Sequence, residues 1–519
     1  MDSKFYTAST QVKQNLTRRS AGILRFGLVF LVVVAQVAVI FFLVQVVHTR
    51  ALPLYFIIQG IAVIDIFILT GKRQNASFTM AWVILILLLP VSGHILYILW
   101  GRRTKHKRIR RTLARTNPYL VKDPAVYQAL SEAHPRRKRL AGYLGRMGFP
   151  AYQGTSCTYY PLGDVQFPAM LADIEQAKKF IFLEYFIIGQ GELWTELREI
   201  LARKAAEGVE VRVMYDDFGS LITLPRNLEA DLKSLGIQVT AWGPIHYSIS
   251  RLYINYRNHQ KICVIDGDIA YTGGTNLADE YINVNSKLGH WKDTAIRIEG
   301  DAVWSHTVFF LQMWEAQTKQ EQDLDKYRPT RQGKAAPGFY QPFSDGPMNN
   351  PYNPAEITYR SMVNNAREYV YITSPYLIID NSMTDALCTA ALGGTDVRII
   401  TPRKWDRWFV HMATQSNYDA LLRAGVKLYE YAPGYIHAKT ILSDDDHCII
   451  GTINMDYRSF YLHYENAVWM CGTPVIKTIK ADFERTLLEC EEIELAKWQK
   501  RPWRMRLYQS FFRIFAIFF

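Results

Sequence analysis

Paired cysteines are missing from this chain. Only six cysteines occur in 519 residues, at Cys157, Cys263, Cys388, Cys448, Cys471 and Cys490, with no C-x-x-C and no histidine at metal-ligand spacing. That scatter argues against a zinc site and a disulfide framework, and reads as reduced thiols in a cytoplasmic domain. Acidic residues are also in deficit, 48 against 60 Lys and Arg, which leaves a formal charge of +12. The excess points to an acidic partner: nucleic acid, an anionic membrane surface or a phosphorylated substrate, and charge alone does not choose among them. At 49% hydrophobic and 21% charged, the chain is neither disordered nor wholly embedded in lipid, and it is long enough for two or three domains.

Charge is absent altogether from 26–47, FGLVFLVVVAQVAVIFFLVQVV, 22 residues that as a helix cover the roughly 30 Å of a hydrocarbon core. The run is too long for a signal-peptide core and lacks an A-x-A-like exit, so a transmembrane helix is expected. Two more apolar runs follow, 52–71, interrupted by Asp65, and 76–101. Directly after them stand Arg102, Arg103, Lys105, Lys107, Arg108, Arg110, Arg111 and Arg115, with a second cluster at 136–139. The positive-inside rule places this flank and everything after it in the cytoplasm, and its position favours anionic headgroups over nucleic acid. Arg18, Arg19 and Arg25 also ask to be inside, which three spans would forbid, so two spans with a re-entrant run is the alternative. The C-terminal WRMRLYQSFFRIFAIFF suits an interfacial helix that tucks Phe511, Phe512, Phe515 and Phe518 into the headgroup boundary, or a helix packed on the core.

Beyond about Pro150 short β-like runs alternate with helical stretches: FIFLEYFII, a helix over 194–207, then VEVRVMYDD, the pattern of βαβ units. The second half repeats it. YVYITSPYLII matches FIFLEYFII, GGTDVRIITP matches EGVEVRVMYDD, and AGVKLYEYAP matches LGIQVTAWGP, so the domain is duplicated. The expected organisation is a membrane region over 1–101, a basic juxtamembrane linker over 102–150, a first half over 151–318, a Gly/Pro/charge-rich linker over 319–347, a second half over 348–500 and an amphipathic aromatic and basic tail over 501–519.

Each half ends in one pattern. NHQKICVIDGDIAYTGGTN holds His259, Lys261, Asp266 and Asn276; YIHAKTILSDDDHCIIGTIN holds His437, Lys439, Asp444 and Asn454. Lysine stands two, aspartate seven and asparagine seventeen positions after each histidine. With Lys and Asp each near one residue in twenty, chance gives two such matches with probability on the order of 10⁻³ or less. Period-two spacing points histidine and lysine to the same face of a strand, and the return strand brings the asparagine amide beside them. Two such sets make a positive, donor-rich pocket whose natural ligand is a phosphate diester. Asp266 and Asp444 belong to the candidate catalytic set, although their place at a turn, five residues past the lysine, favours bracing the loop. The paired pattern alone admits nucleases and lipases alike.

These residues resemble the phospholipase D superfamily. LEYFI, VRVMYDDFGS, TSPYLI, HWKDTAIRIEG and NMDYRSFYLHYE, with the spaced Ala81, Trp82, Pro90, Gly93, Tyr97 and Gly101, are similar to bacterial cardiolipin synthases from about residue 50 to the end. The resemblance implies an α/β fold of two pseudo-symmetric αβα-sandwich halves with mixed sheets, preceded by N-terminal transmembrane helices, in a multi-pass protein of the bacterial cell membrane. It implies transfer of a phosphatidyl group between two phosphatidylglycerols through a phosphatidyl-histidine, with phospholipase D or transfer to another alcohol as the alternative. His259 becomes the nucleophile and His437 the general acid. Asp293 and Glu465, equivalent in DTAIRIEG and ENAVWMCG, become the acids that orient them, and Glu184 lines the pocket. Exchange of one phosphodiester for another requires no cofactor, metal, ATP or CDP-activated lipid; the expected partners are phosphatidylglycerol and anionic membrane lipids, not nucleic acid.

Overall fold

The computed structural model describes residues 34, 38, 52–71, 75–101, 107–244, 256–330, 336–349 and 352–518. The expected span at 26–47 lies almost wholly outside them. The chain forms two units, residues 1–105 with 243–255 and residues 106–242 with 256–519.

In the first unit the run at 52–71 is a helix, Leu52–Thr70. The run at 76–101 is three pieces: Ala76–Leu88, Pro90–Leu96 and a π-turn over Tyr97–Gly101. Pro90 has no N–H to continue the first helix and instead opens the second, so the apolar run is not one continuous helix. Among the described residues no helix is long and apolar enough to cross a membrane. The spaced motif residues hold this bend together: Trp82 packs edge-on against Tyr97 at 5.5 Å. A Cβ on Gly93 would fall 2.5 Å from the Leu85 carbonyl oxygen, so only glycine allows the two helices to approach. Asp65 lies against the ring of His94.

The second unit contains both halves. The strands of the first are β1 (Thr155–Tyr160), β2 (Phe180–Tyr185), β3 (Glu210–Asp216), β4 (Gln238–Trp242), β5 (Ile262–Ile265), β6 (Ile269–Gly273), β7 (His290–Lys292) and β8 (Ala295–Gly300). Those of the second are β9 (Phe339–Asp345), β10 (Tyr369–Thr373), β11 (Leu377–Ile378), β12 (Asp396–Pro402), β13 (Lys427–Tyr431), β14 (Gly434–Ile436), β15 (Thr440–Ser443), β16 (His447–Gly451), β17 (Met455–Asp456), β18 (Glu465–Cys471) and β19 (Cys490–Glu492). The main sheets run β1-β8-β6-β5-β2-β3-β4 and β9-β18-β16-β15-β10-β12-β13-β19. Read in parallel they are one order with β19 added. In each, three strands are parallel and the rest antiparallel, so the sheets are mixed. The parallel strands are apolar on both faces because helices cover both sides; β2 is buried at every position. Helix Val303–Thr318, buried over nearly its whole length, carries Phe309, Phe310 and Trp314 into the core cluster that joins the halves.

Two stretches expected as linkers are folded. Residues 107–146 form helices Lys107–Thr116, Pro124–Ala133 and Lys138–Arg146, burying Ile109, Leu130, Leu140 and Leu144. Their Arg137, 2% exposed, grips Asp444 and Asp446. The interdomain stretch ends in β9, which pairs antiparallel with β18 as β1 does with β8. The second half thus begins near Phe339. The C-terminal helix Trp503–Phe515 corrects part of the tail expectation. Phe512 turns inward onto Trp408 and Phe409, and Ala516 and Ile517 are buried, while Trp503, Leu507, Phe511 and Ile514 face outward.

Candidate active site

The two histidine motifs meet where the halves join, and backbone pairing across that seam sets their geometry. β14 pairs in parallel with β7, and the His437 amide donates to the Lys292 carbonyl at 2.7 Å. The other motif repeats this arrangement: Asn258 bridges to Tyr464, and the His259 amide donates to the Tyr464 carbonyl at 2.9 Å. Each histidine segment therefore lies beside the acid-bearing segment of the opposite half. His259 Nδ1 stands 2.9 Å from Glu465, and His437 Nδ1 stands 2.6 Å from Asp293. The orienting acids are crossed. With Nδ1 engaged in both rings, Nε2 is the nitrogen left for chemistry. Gly274 makes room for Asp293, since a Cβ there would lie 2.0 Å from Oδ1.

Both imidazoles, both lysines and both acids are buried. Burial lowers His259 well below the ordinary imidazole range, with Lys261 and His463 adding repulsion, and lowers His437 to about 4, with Lys439 adding repulsion. Burial likewise pushes Lys261 down to about 7 and Lys439 to about 8. Lys261 Nζ donates to its own histidine's carbonyl at 2.8 Å, and Lys439 Nζ lies 2.9 Å from His437 Nδ1. The pocket is thus poor in water and crowded with groups that want a negative charge, which an anionic phosphodiester would supply.

The other predicted residues separate by location. Asn276 accepts from the Ile187 amide at 3.1 Å and donates to the Tyr281 hydroxyl at 2.6 Å, which fixes it in the wall; Asn454 Oδ1 is buried without a hydrogen-bond partner. Glu184, fully buried at the end of β2, receives the Asn258 side-chain amide and is pushed up to about 8 by burial; it backs the His259 segment instead of lining the pocket. Asp266 and Asp444 are not brought to the histidines. Asp266 accepts from the amides of Lys178, Lys179 and Phe180 at 2.7–2.9 Å, and Asp444 from those of Arg367, Glu368 and Tyr369. Both sit at φ +54° in the turn after their strand, clasping the start of β2 or β10.

Sequence reasoning did not single out His463. Its ring centroid lies 5.4 Å from that of His259, at the place where Trp291 stands beside His437, 5.8 Å away. The signal was available, because each precedes its acid by two residues. Ligand atoms of His259, His463 and Glu465 come within 4.8 Å of one another, a spacing that fits a metal ion. The tautomer opposes that use. Arg458 Nε donates to His463 Nε2 at 3.1 Å, so a neutral His463 carries its proton on Nδ1, which faces Glu465 at 3.6 Å and has no lone pair to offer. Asp216 accepts from the Asn258 amide and pairs with Arg257 at 3.2 Å, and Thr452, which sequence reasoning also passed over, donates its hydroxyl to Glu465.

Residues 170–303 and 359–487 match the family model for the cardiolipin synthase, phospholipase D-like domain, and 57–102 match the phospholipase D-nuclease N-terminal model. Cardiolipin synthase 2 of Bacillus anthracis is 34% identical, with 86% of this chain and 87% of that protein covered. Cardiolipin synthase of Geobacillus kaustophilus is 31% identical, over 90% and 94%. The crystal structure of a phosphatidylserine synthase of Haemophilus influenzae superposes with a TM-score of 0.55 at 14% identity, over 74% of this chain and 98% of that one, a likeness of fold. Matches that span both halves and most of the relatives' length leave one assignment: the chain belongs to the bacterial cardiolipin synthases of the phospholipase D superfamily, and as an enzyme it is a phosphatidyltransferase.

Proposed function

We propose that this enzyme transfers the phosphatidyl group of one phosphatidylglycerol to the headgroup hydroxyl of another, forming cardiolipin and releasing glycerol. His259 Nε2 attacks phosphorus, the bond to the headgroup glycerol breaks, and His437 gives its proton to the leaving alkoxide. The second phosphatidylglycerol then attacks the phosphatidyl-histidine, the P–N bond breaks, and the hydroxyl proton returns to His437. One phosphodiester is made for each one broken, so no external energy source enters. Lys261, Lys439 and the side chains of Asn276 and Asn454 stabilise charge on the non-bridging oxygens. Asp293 and Glu465 hold the imidazoles with Nε2 forward, and Asp266 and Asp444 brace the loops.

The observation that carries this reading is the buried pair of imidazoles, each engaged at Nδ1 by a carboxylate, with a buried lysine beside each. A neutral imidazole is a nucleophile, and an arriving phosphodiester opposes the repulsion that keeps the second ring unprotonated. The purified chain with phosphatidylglycerol in detergent micelles is expected to yield cardiolipin and glycerol by mass spectrometry. Phosphatidic acid alone would make it a hydrolase, and transfer to other added alcohols in preference to phosphatidylglycerol would change the acceptor.

The setting proposed is the cytoplasmic face of the bacterial cell membrane, with the N-terminal region as anchor. Phe56, Ile57, Ile64 and Phe67 of helix Leu52–Thr70 present apolar side chains with 59–73% of their surface uncovered, which favours a lipid environment. Extraction of the full chain from membranes by alkaline carbonate without detergent would refute the anchor.

A further inference from the structure

Arg458 lies on the short helix Tyr457–Tyr461, four residues past Asn454. Its Nε donates to His463 and Nη1 to the Phe518 carbonyl at 3.4 Å, while Nη2 carries no hydrogen bond among the described residues. Among those residues, too, no carboxylate stands within ion-pair distance of this guanidinium. The closest acid in sequence, Asp456, is committed to capping Ser459. Burial lowers Arg458 to about 10; Asp456 counters that, and Arg407 and Arg257 add to it. Arg458 is half-buried, and a guanidinium with no carboxylate in ion-pair distance among the described residues offers its free face to an anion.

The pseudo-twofold relation is broken here. The residue four past Asn276 is Glu280, so one half offers a cation and the other a carboxylate at equivalent places. His463 against Trp291 is a second break on the same side. Among the described residues the two sides of the histidine pair therefore differ in charge, and the His259 side suits a second negative headgroup. Resting on the transfer reaction above, we propose that Arg458, aimed by His463, is the subsite for the phosphodiester of the acceptor phosphatidylglycerol.

The dimensions suit a glycerol bridge. The His259 and His463 ring centres are 5.4 Å apart, and Arg458 Nε lies 3.1 Å from His463 Nε2. A headgroup glycerol spans roughly 5–6 Å from its phosphorus to its free hydroxyl at about 1.5 Å per bond. An acceptor phosphate at Arg458 would thus set that hydroxyl against the phosphorus held on His259. Its attack breaks the P–N bond, the electron pair returns to Nε2, and the proton passes to His437. Water carries no phosphate for Arg458 to anchor, so the subsite favours lipid over hydrolysis by holding the nucleophile in place.

The test partitions one intermediate among three acceptors. The full-length enzyme in micelles of phosphatidylglycerol is given isotopically labelled glycerol, and label entering phosphatidylglycerol, cardiolipin and phosphatidic acid are measured together. For Arg458→Gln the ratio of cardiolipin to glycerol exchange should fall by about 10- to 100-fold, the share of phosphatidic acid should rise, and Arg458→Lys should recover part of the ratio. His463→Gln should shift the ratio the same way by less. An unchanged ratio in Arg458→Gln, whether total turnover holds or falls, overturns the subsite. If that variant melts at lower temperature than the wild type, the Lys variant decides: a ratio between those of Arg458→Gln and the wild type, or a raised KM for phosphatidylglycerol, supports the subsite, and wild-type KM and ratio together overturn it. A wild-type enzyme that exchanges glycerol without making cardiolipin refutes the acceptor and the subsite together, whereas one that does neither refutes the transferase reading itself.

Discussion

His259 of the first half is oriented by Glu465 of the second, 2.9 Å from its Nδ1, and the reverse pairing joins His437 to Asp293 at 2.6 Å. Neither half owns a complete histidine and acid pair. Glu465→Gln and Asp293→Asn keep shape but replace an acceptor-only carboxylate by an amide that can present a donor to Nδ1 and so no longer sets the tautomer. Each is expected to cut the initial rate of cardiolipin formation by about 10²-fold or more, with the melting temperature near that of the wild type. His259→Ala and His437→Ala should each abolish product. More than half the normal rate in either Glu465→Gln or Asp293→Asn would show that the contacts are structural only.

The motif aspartates predict the opposite phenotype. Asp444 meets three backbone amides and Arg137, so Asp444→Asn should cost about 1–3 kcal/mol of stability while leaving turnover per folded molecule close to normal. Burial works against its charge, but the amides of Glu368, Arg367 and Tyr369 and the Arg137 guanidinium prevail and hold its carboxyl below the usual range. A depressed folded value stabilises the native state above the unfolded value of about 4 and is lost as pH falls through the folded one. The stability gap between wild type and Asp444→Asn should therefore close in acid, as read by chemical denaturation at pH 7 and pH 3. A gap that stays constant would mean the charge is not what Asp444 contributes.

Lysine ionisation should shape the pH profile. Lys261 and Lys439 are pushed down to about 7 and about 8 chiefly by burial, so the empty pocket is positive below that range and loses charge above it. The expected result is a fall of kcat/KM with rising pH through about 7 to 8, several units below the ordinary lysine. A bound phosphodiester favours the protonated forms, so the corresponding limb of kcat should lie at higher pH. A kcat/KM profile flat to pH 9 would contradict this.

Much of this fold was legible in the sequence because duplication repeats a signal. FIFLEYFII and YVYITSPYLII became β2 and β10, and the two H-x-K segments led into β5 and β15. The crossing of the acids was not legible: aligning Asp293 with Glu465 makes them equivalent, but which imidazole each meets depends on β14 lying beside β7. Helix Lys107–Thr116 was hidden by its arginines, which obscure the buried positions Ile109, Thr112 and Thr116. β9 was hidden by the glycines and prolines around it. Its own Pro342 is tolerated because β9 is the edge strand, where a missing N–H breaks no outer ladder.

The C-terminal helix offers a last prediction, which separates its two faces. Trp503, Leu507, Phe511 and Ile514 recur at helical spacing and are 69%, 57%, 53% and 44% exposed, flanked by exposed Arg504, Arg506 and Arg513. The opposite face is committed to the protein: Phe512 on Trp408, and Gln509 bonded to Gln415 and Arg501. An outward apolar strip edged with arginines suits the headgroup boundary of an anionic bilayer. Leu507→Ser with Phe511→Ser removes apolar area worth a few kcal/mol at about 25 cal/mol per Å², and should raise KM for phosphatidylglycerol presented in vesicles by about 10-fold. The same pair should leave kcat in detergent micelles within about twofold, because no substrate-contacting group is touched. Salt should weaken vesicle binding further by screening the arginines. Equal loss in vesicles and micelles would assign the strip to folding, and no loss in either would remove this helix from the membrane contact.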